Sequence, residues 1–276
     1  MSQTMTSSLL KTTRIVGDQS LDVADLEVIN FEKIAAKDSV EMAKLLKAAE
    51  STGFFFFSFN NELSATMSNY LQTCYQNSEG YFTKPLDEKM KDFREDVDRG
   101  YKHRPGVESY EIARDEQNSI ALPTPFAAHA GTTNDFIDIC DTIVRACLRS
   151  LSDSLGLKGS SHLENSHPPE GPSDSGLKFV SSPTLASTAD VPDSTHTDSG
   201  SVTLLWCEKW ASQLQTRETK EWLWIEPKRD CVLINLANYL QNQTGDRLHS
   251  PVHRLMQPSD GVEDRHFVSY FLRPTC

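Results

Sequence analysis

Apolar positions in the first half of the chain recur mainly at helical spacing, and those in the C-terminal part fall into short alternating runs. Leu26 to Phe31 (LEVINF) alternates and predicts a half-buried strand. From Ser39 to Ser51, Met42, Leu45, Leu46 and Ala49 fall on one side of a helix, and Gly53 supplies its stop. Four successive phenylalanines at the start of the run 54–59 predict a strand buried on both faces. Helical spacing returns over Asn61 to Phe82, and again from Pro85 to about Phe93. Asn134 to Leu155 is the clearest amphipathic helix, with Phe136, Ile137, Ile143, Val144, Cys147 and Leu151 on one side. Asn134 is the expected N-cap, because its side-chain oxygen can accept from a free N–H of the first turn.

Between Gly156 and Gly176 the pattern breaks into Gly, Ser, Pro, Asn and acids, which predicts a linker or a mobile loop. After it come the runs Leu177–Val180, Ser201–Trp206, Glu221–Ile225, Cys231–Leu236 and His266–Leu272, separated by turn residues. Helices first and closely spaced strands second predict an α+β fold around a β-sandwich or barrel.

The 276 residues suffice for one large domain or two small ones, and 38% hydrophobic with 24% charged residues excludes wholesale disorder. A formal charge of −12, from 27 basic and 39 acidic residues, argues against nucleic acid as partner. No apolar run approaches the roughly 20 residues of a membrane span. Six cysteines without CxxC spacing read as reduced thiols, which places the protein in the cytoplasm. Residues 1–20 read as a flexible, Ser/Thr-rich tail. Nothing in the sequence sets the oligomeric state.

His196 and Asp198, in THTDSGSVTLLW, are separated by one residue. In an extended strand both project to the same side and can face one metal. His253 is the candidate third ligand, brought in from a neighbouring strand. Two imidazoles and one carboxylate on one face leave the opposite positions open, which suits non-haem Fe(II) and dioxygen. Zinc also accepts these ligand types.

The run His196 to Leu205 resembles the HTDxGxLTLL segment of iron- and 2-oxoglutarate-dependent dioxygenases, in the branch that includes isopenicillin N synthase. WLWIEPKRDCVLINLANYLQ (222–241), GDRLHSPVHRL (245–255) and RHFVSYFLRP (265–274) are similar to that family's later segments in the same order. LEVINF, STGFFFF, YFTKPLDEKMK and Arg99-Gly100-Tyr101 with Glu108 are similar to its N-terminal region. The resemblance implies a double-stranded β-helix (jelly roll) with flanking N-terminal helices. Residues 21–276 would be a single oxygenase domain, helical to about 155, with a mobile loop 156–176 and a catalytic core 177–276.

It further implies Fe(II), 2-oxoglutarate and dioxygen as cofactors, with His196, Asp198 and His253 on the metal. Arg265 would meet the distal carboxylate of 2-oxoglutarate through its planar fork. The chain departs from the family pattern around that group. Phe267 stands where a serine follows the arginine by two, Ser182 replaces a tyrosine before Pro183, and Asn238 replaces an aspartate. Ser182 or Ser269 would then supply the missing hydrogen bond to the cosubstrate, and Lys178, Tyr101, Phe267 and Phe271 are the candidate substrate contacts. The implied activity is oxidation of a C–H bond of a small secondary metabolite by hydroxylation, desaturation or ring rearrangement. Two alternatives stand beside it: an oxidase of the isopenicillin N synthase type that does not use 2-oxoglutarate, and a catalytically inactive jelly-roll binding protein.

Overall fold

The computed structural model describes residues 11–95, 98–183, 194–262 and 264–275. Thirteen strands among them form two sheets. The smaller sheet contains β1 (Lys11–Val16), β2 (Gln19–Ala24), β9 (Ser212–Gln215), β10 (Trp222–Trp224) and β12 (His253–Leu255) in the order β1-β2-β10-β9-β12. The larger contains β3 (Val28–Asn30), β4 (Phe54–Ser58), β5 (Gly100–Arg104), β6 (Val107–Ala113), β7 (Gly176–Pro183), β8 (Val202–Trp206), β11 (Cys231–Leu236) and β13 (Asp264–Leu272). Its order is β3-β4-β11-β8-β13-β7-β6-β5, so strands from both halves of the chain interleave. This is the expected α+β jelly roll with helices against it.

The phenylalanine run shows how the layers are built. Successive side chains of a strand point to opposite faces. Phe54 and Phe56 therefore pack with Leu214, Leu223 and Leu233 between the two sheets. Phe55 and Phe57 pack on the other face, against the helices, with Leu45, Phe136 and Val144. The helical layer comprises α1 (Phe31–Ala35), α2 (Ser39–Ser51), α3 (Asn61–Phe82), the short α4 (Leu86–Lys89) and α5 (Thr124–Ala127), and α6 (Ala130–Leu155). Asp38 caps α2 by accepting from Val40 and Glu41 N–H, and Asn60 caps α3 by accepting from Leu63 N–H. Gly53, after α2, has φ +65°, and a Cβ there would lie 2.1 Å from the His249 carbonyl oxygen, so the close approach of these segments needs glycine.

The structure corrects several expectations. Residues 11–20 are not a flexible tail. Lys11–Val16 and Gln19–Ala24 form a hairpin across Gly17-Asp18, with β1 as an exposed edge carrying Lys11 and Arg14. The part of the tail before residue 11 lies outside the described residues. Phe31 leaves the predicted strand and opens α1, because the Asn30 side chain accepts from Lys33 N–H. Helix α6 begins four residues before Asn134, at Ala130, with His129 at the N-cap position. The Asn134 amide instead donates to Asn118 Oδ1. Six strands of the two sheets, β1 to β6, precede α6, so the N-terminal region is not purely helical.

The 156–176 segment is packed, not loose. It forms 3-10 turns at Gly159–Ser161 and Leu163–Ser166, and Leu163 is buried against α6. His167 is buried, with Nδ1 3.0 Å from the Leu163 carbonyl and Nε2 2.7 Å from Ser201 Oγ, so its ring ties the segment to the approach of β8. The carbonyl requires Nδ1 to donate, which leaves Nε2 to accept from Ser201. Burial lowers the His167 pKa from 6.5 to about 4. Between these values the unfolded chain binds the proton and the folded chain does not. The stabilising contribution is therefore complete above pH 6.5 and lost as the pH falls toward 4, by about 3 kcal/mol in all. Urea unfolding of the wild type and His167→Gln at pH 7.0 and 4.5 is expected to show a smaller acid-induced loss in the variant. An identical loss in both proteins would rule out this role for His167.

Candidate metal centre and its cosubstrate side

The HTD segment reaches the metal centre differently from the strand expected for it. His196 forms an isolated antiparallel bridge with His253, each backbone N–H donating to the other's carbonyl at 3.0 and 2.9 Å. The chain then leaves the bridge through Asp198 to enter β8. Asn238, the first residue of α7 (Asn238–Gln243), holds this turn: its N–H donates to the Asp198 carbonyl at 2.8 Å and its side chain to Thr197 Oγ1 at 2.9 Å. The asparagine found in place of the family's aspartate thus acts as a brace for the ligand loop.

His196 Nε2 lies 3.4 Å and His253 Nε2 3.7 Å from Asp198 Oδ1. One ligand atom from each of the three residues falls within 4.8 Å of the others, and this is the one such group found among the described residues. Each imidazole is oriented from behind. His196 Nδ1 is 2.5 Å from the Ser194 carbonyl, and His253 Nδ1 is 3.1 Å from the Pro251 carbonyl. A carbonyl can only accept, so both Nδ1 atoms donate; in the neutral imidazoles both Nε2 atoms then present lone pairs to the centre, and a protonated His196 Nε2 instead donates to Asp198. Asp198 Oδ2 accepts from Thr203 Oγ1 at 2.6 Å and Asn235 Nδ2 at 2.8 Å, leaving Oδ1 for the centre. Phe54 closes one flank, its ring edge-on to His253 at 5.5 Å.

The titration behaviour follows from this packing. Burial by itself would raise the Asp198 pKa, but hydrogen bonds from His196, Thr203 and Asn235 with the charge of His253 hold it well below the carboxylate range. The hydrogen bond to Asp198 raises His196 against its own desolvation, and burial lowers His253. Asp198 and His253 side chains are 12% and 14% exposed, but His196 is 49% exposed, so the centre opens to solvent on the His196 side. Two neutral imidazoles and an ionised carboxylate, each fixed by a second partner, fit a divalent metal held on one face.

Thr203 and Asn235 were not singled out from the sequence. Their signal is a polar side chain inside strands that are otherwise apolar, VTLLW and CVLINL. Thr203→Val and Asn235→Leu are each expected to weaken metal binding about 10- to 100-fold. Competition with a chromophoric chelator checks this, and unchanged affinity in both would deny them an orienting role.

Sheet register places the remaining candidates. Arg265 pairs with Ser182, Phe267 with Val180, Ser269 with Lys178 and Leu205, and Phe271 with Gly176 and Thr203. Leu205 packs with the inter-sheet cluster and Thr203 bonds Asp198, so this row faces the barrel interior. Arg265, Ser182, Ser269, Lys178, Phe267 and Phe271 are therefore brought to one face, shared with the metal centre. Lys178 Nζ lies 3.4 Å from buried Glu111 Oε2 and 5.7 Å from the Phe271 ring centroid, and its charge is felt at His196. Glu111 is also paired with Arg273.

Tyr101 is a correction. It pairs with Tyr110, which pairs with Phe179, and all three are in the cluster on the helical side of the sheet. A buried Tyr101 facing α3 cannot contact substrate at the metal. Glu108, on the same side, pairs with Lys89 at 2.5 Å.

Arg265 is 1% exposed and is already engaged: Nη2 donates to Asp260 Oδ1 at 2.6 Å, Nε to the Trp210 carbonyl at 2.9 Å and Nη1 to the Val262 carbonyl at 3.1 Å. Ser182 Oγ donates to the Gly106 carbonyl at 3.3 Å and accepts from Gln257 at 3.4 Å. A buried guanidinium on the interior face fits the carboxylate end of a dicarboxylic acid, and Ser269 lies on the same face four residues, about 13 Å, farther along the strand. A cleft of about 1030 Å3 opens at the far end of the barrel beneath α3. Its floor includes Phe56, Leu205 and Leu233, each two residues along its strand from Phe54, Thr203 and Asn235. Cleft and metal centre are thus one side-chain layer apart, about 7 Å along the strands.

Residues 180–274 match the model of the 2OG-Fe(II) oxygenase superfamily. A 2-oxoglutarate-dependent dioxygenase from Dothideomycetidae sp. (strain 11243) is 31% identical, over 92% of this chain and 84% of that protein. The chain belongs to the 2OG-Fe(II) oxygenase superfamily. A second 2-oxoglutarate-dependent dioxygenase, from Gibberella zeae, is 29% identical to this oxygenase over 91% of the chain and 80% of its own length. The fold agrees with a Neurospora crassa crystal structure in complex with alpha-KG and thymine, at TM-score 0.78 and 20% identity, covering 92% of this chain and 86% of that one. Membership carries with it the expected enzyme class and its dependence on Fe(II), 2-oxoglutarate and dioxygen. No helix among the described residues is long and apolar enough to cross a membrane.

Proposed function

We propose that this oxygenase uses His196, Asp198 and His253 to hold Fe(II), and Arg265 to receive the distal carboxylate of 2-oxoglutarate, with Ser269 on the same face of the strand. The substrate is a small organic molecule oxidised at a C–H bond, in secondary-metabolite biosynthesis. The observation that carries the reading is the pair of Nε2 lone pairs and the single Asp198 oxygen, all turned to one point and each fixed by a second partner. Dioxygen is the oxidant: iron would activate it when bound, with two of its four oxidising equivalents taken up by oxidative decarboxylation of 2-oxoglutarate and two by the substrate C–H bond.

What the chain does is positional. Ser194 and Pro251 carbonyls keep the imidazoles in one tautomer, Thr203 and Asn235 keep Asp198 ionised and oriented, and Asn238 locks the turn between them. Phe54 and Phe271 exclude water from the flanks, and the exposed edge at His196 admits ligands. Lys178, held by Glu111 over Phe271, is the substrate-facing cation of this reading. Phe267, buried beside Arg265, serves as wall and not as contact. The charge of −12 supports a small molecule over nucleic acid, and five unpaired thiols among the described residues support a cytoplasmic setting.

Anaerobic Fe(II) titration with and without 2-oxoglutarate tests the reading. A visible charge-transfer band that needs both components is expected. Iron binding with no such band would favour an oxidase that does not use 2-oxoglutarate. Failure to bind iron would leave only a jelly-roll binding protein.

A further inference from the structure

Arg265 heads the largest fully buried side chains of the protein, and a buried cation persists only when it is compensated. Its compensation is internal. Asp260, five residues upstream in the turn before β13, is itself nearly buried and places Oδ1 2.6 Å from Nη2. The same oxygen accepts the Val262 N–H at 3.1 Å, and the Val262 carbonyl accepts from Arg265 Nη1, so turn and guanidinium form a closed ring of contacts. The turn is in turn seated on the first hairpin. Ser259 N–H donates to Gln19 Oε1 at 3.0 Å, and Gly17 approaches so closely that a Cβ would lie 2.0 Å from the Ser259 carbonyl oxygen. Asp260 is therefore held on Arg265 by the fold and is not a surface carboxylate that happened to reach it.

We propose that Asp260 is a cosubstrate-specificity residue: an internal carboxylate that occupies Arg265 in the resting protein and opposes the distal carboxylate of 2-oxoglutarate. The inference rests on Arg265 being the cosubstrate anchor. A carboxylate that engages the same guanidinium comes within roughly 5 Å of Asp260, and like charges at that range in a poorly solvated site repel. Dicarboxylates pay this repulsion and 2-oxo monocarboxylates do not, so Asp260 narrows the margin by which the site prefers 2-oxoglutarate over its shorter analogues. It also sets the cosubstrate concentration at which the enzyme becomes loaded.

Asp260→Asn separates charge from shape, because the amide oxygen still accepts from Arg265 and from Val262 N–H. Zn(II)-loaded wild type and variant, which do not turn over, are titrated calorimetrically with 2-oxoglutarate and with 2-oxobutyrate, which lacks the distal carboxylate. The variant is expected to bind 2-oxoglutarate about tenfold more tightly and 2-oxobutyrate with unchanged affinity. Its melting temperature without ligand is expected to fall, and saturating 2-oxoglutarate to raise it by more than in the wild type. If Asp260→Asn does not fold, Asp260→Ser is measured in the same way. A wild-type preference for 2-oxoglutarate that the variant keeps or loses, without gain, would overturn the inference and leave Asp260 as a support for Arg265. Equal affinity for both acids in both proteins would instead overturn the assignment of Arg265 itself.

Discussion

Asp198→Ala is expected to reduce Fe(II) affinity by more than about a hundredfold and turnover to roughly a thousandth of wild type or less. Asp198 supplies the one carboxylate oxygen at the centre, and the two imidazoles left behind cannot define three positions on one face of a metal. The same substitution strips the acceptor from Thr203 and Asn235, which costs about 1–3 kcal/mol for donors left in a partly buried site. That loss is small against the stability of a chain with so continuous a core, so circular dichroism and urea unfolding should report a folded protein. A second readout needs no metal at all. The hydrogen bond to Asp198 raises the His196 pKa, so without the carboxylate the imidazole should titrate at lower pH in an NMR titration of the metal-free protein. Near-normal turnover in Asp198→Ala would sink the ligand assignment. Lost turnover with an unmoved His196 titration would show that the carboxylate is not seated where the structure places it.

Much of this centre was legible because ligand chemistry is carried by residue type. His196, Asp198 and His253 are named by identity and order, and no register is needed to suspect them. Helices α2 and α3 were equally legible, since the capping side chains Asp38 and Asn60 and the apolar spacing are local signals. What failed was information held in long-range pairing. Tyr101 looked like a pocket residue because of the motif around it, but its direction depends on the β5–β6–β7 register, and one pairing step reverses a side chain's face. Strands β5 and β12, GYKHR and HRL, carry no alternation of their own and exist because β6 and β9 pair with them. The 156–176 segment looked structureless by composition. Its order comes from single anchors, Leu163 and His167, which no window average can reveal. Asp260 stands among ordinary turn residue types, Ser259-Asp260-Gly261, and nothing local announces that the turn closes over a buried guanidinium.

Arg265→Leu is the second large effect, and its interpretation depends on a partner variant. Removing the cation leaves Asp260 nearly buried without its countercharge, and breaking such a pair from one side costs about 3–5 kcal/mol. The urea midpoint should therefore drop steeply, and 2-oxoglutarate binding to the Zn(II)-loaded protein should fall at least about a hundredfold, as charge-assisted bonds of about 1.5–3 kcal/mol each are lost. A purely structural arginine would produce the first effect and, through loosening of the barrel, some of the second. The double variant Arg265→Leu/Asp260→Asn separates them. With both charges of this pair gone Asp260 no longer leaves an uncompensated carboxylate, so stability should return by a coupling of about 0.5–3 kcal/mol. Nothing in the double variant recreates a cation at the end of the interior row, so 2-oxoglutarate affinity should stay at the Arg265→Leu level. Recovery of cosubstrate binding together with stability would reduce Arg265 to a packing element and move the distal carboxylate to another donor, for which Lys178 on the same face is the nearest cation in register.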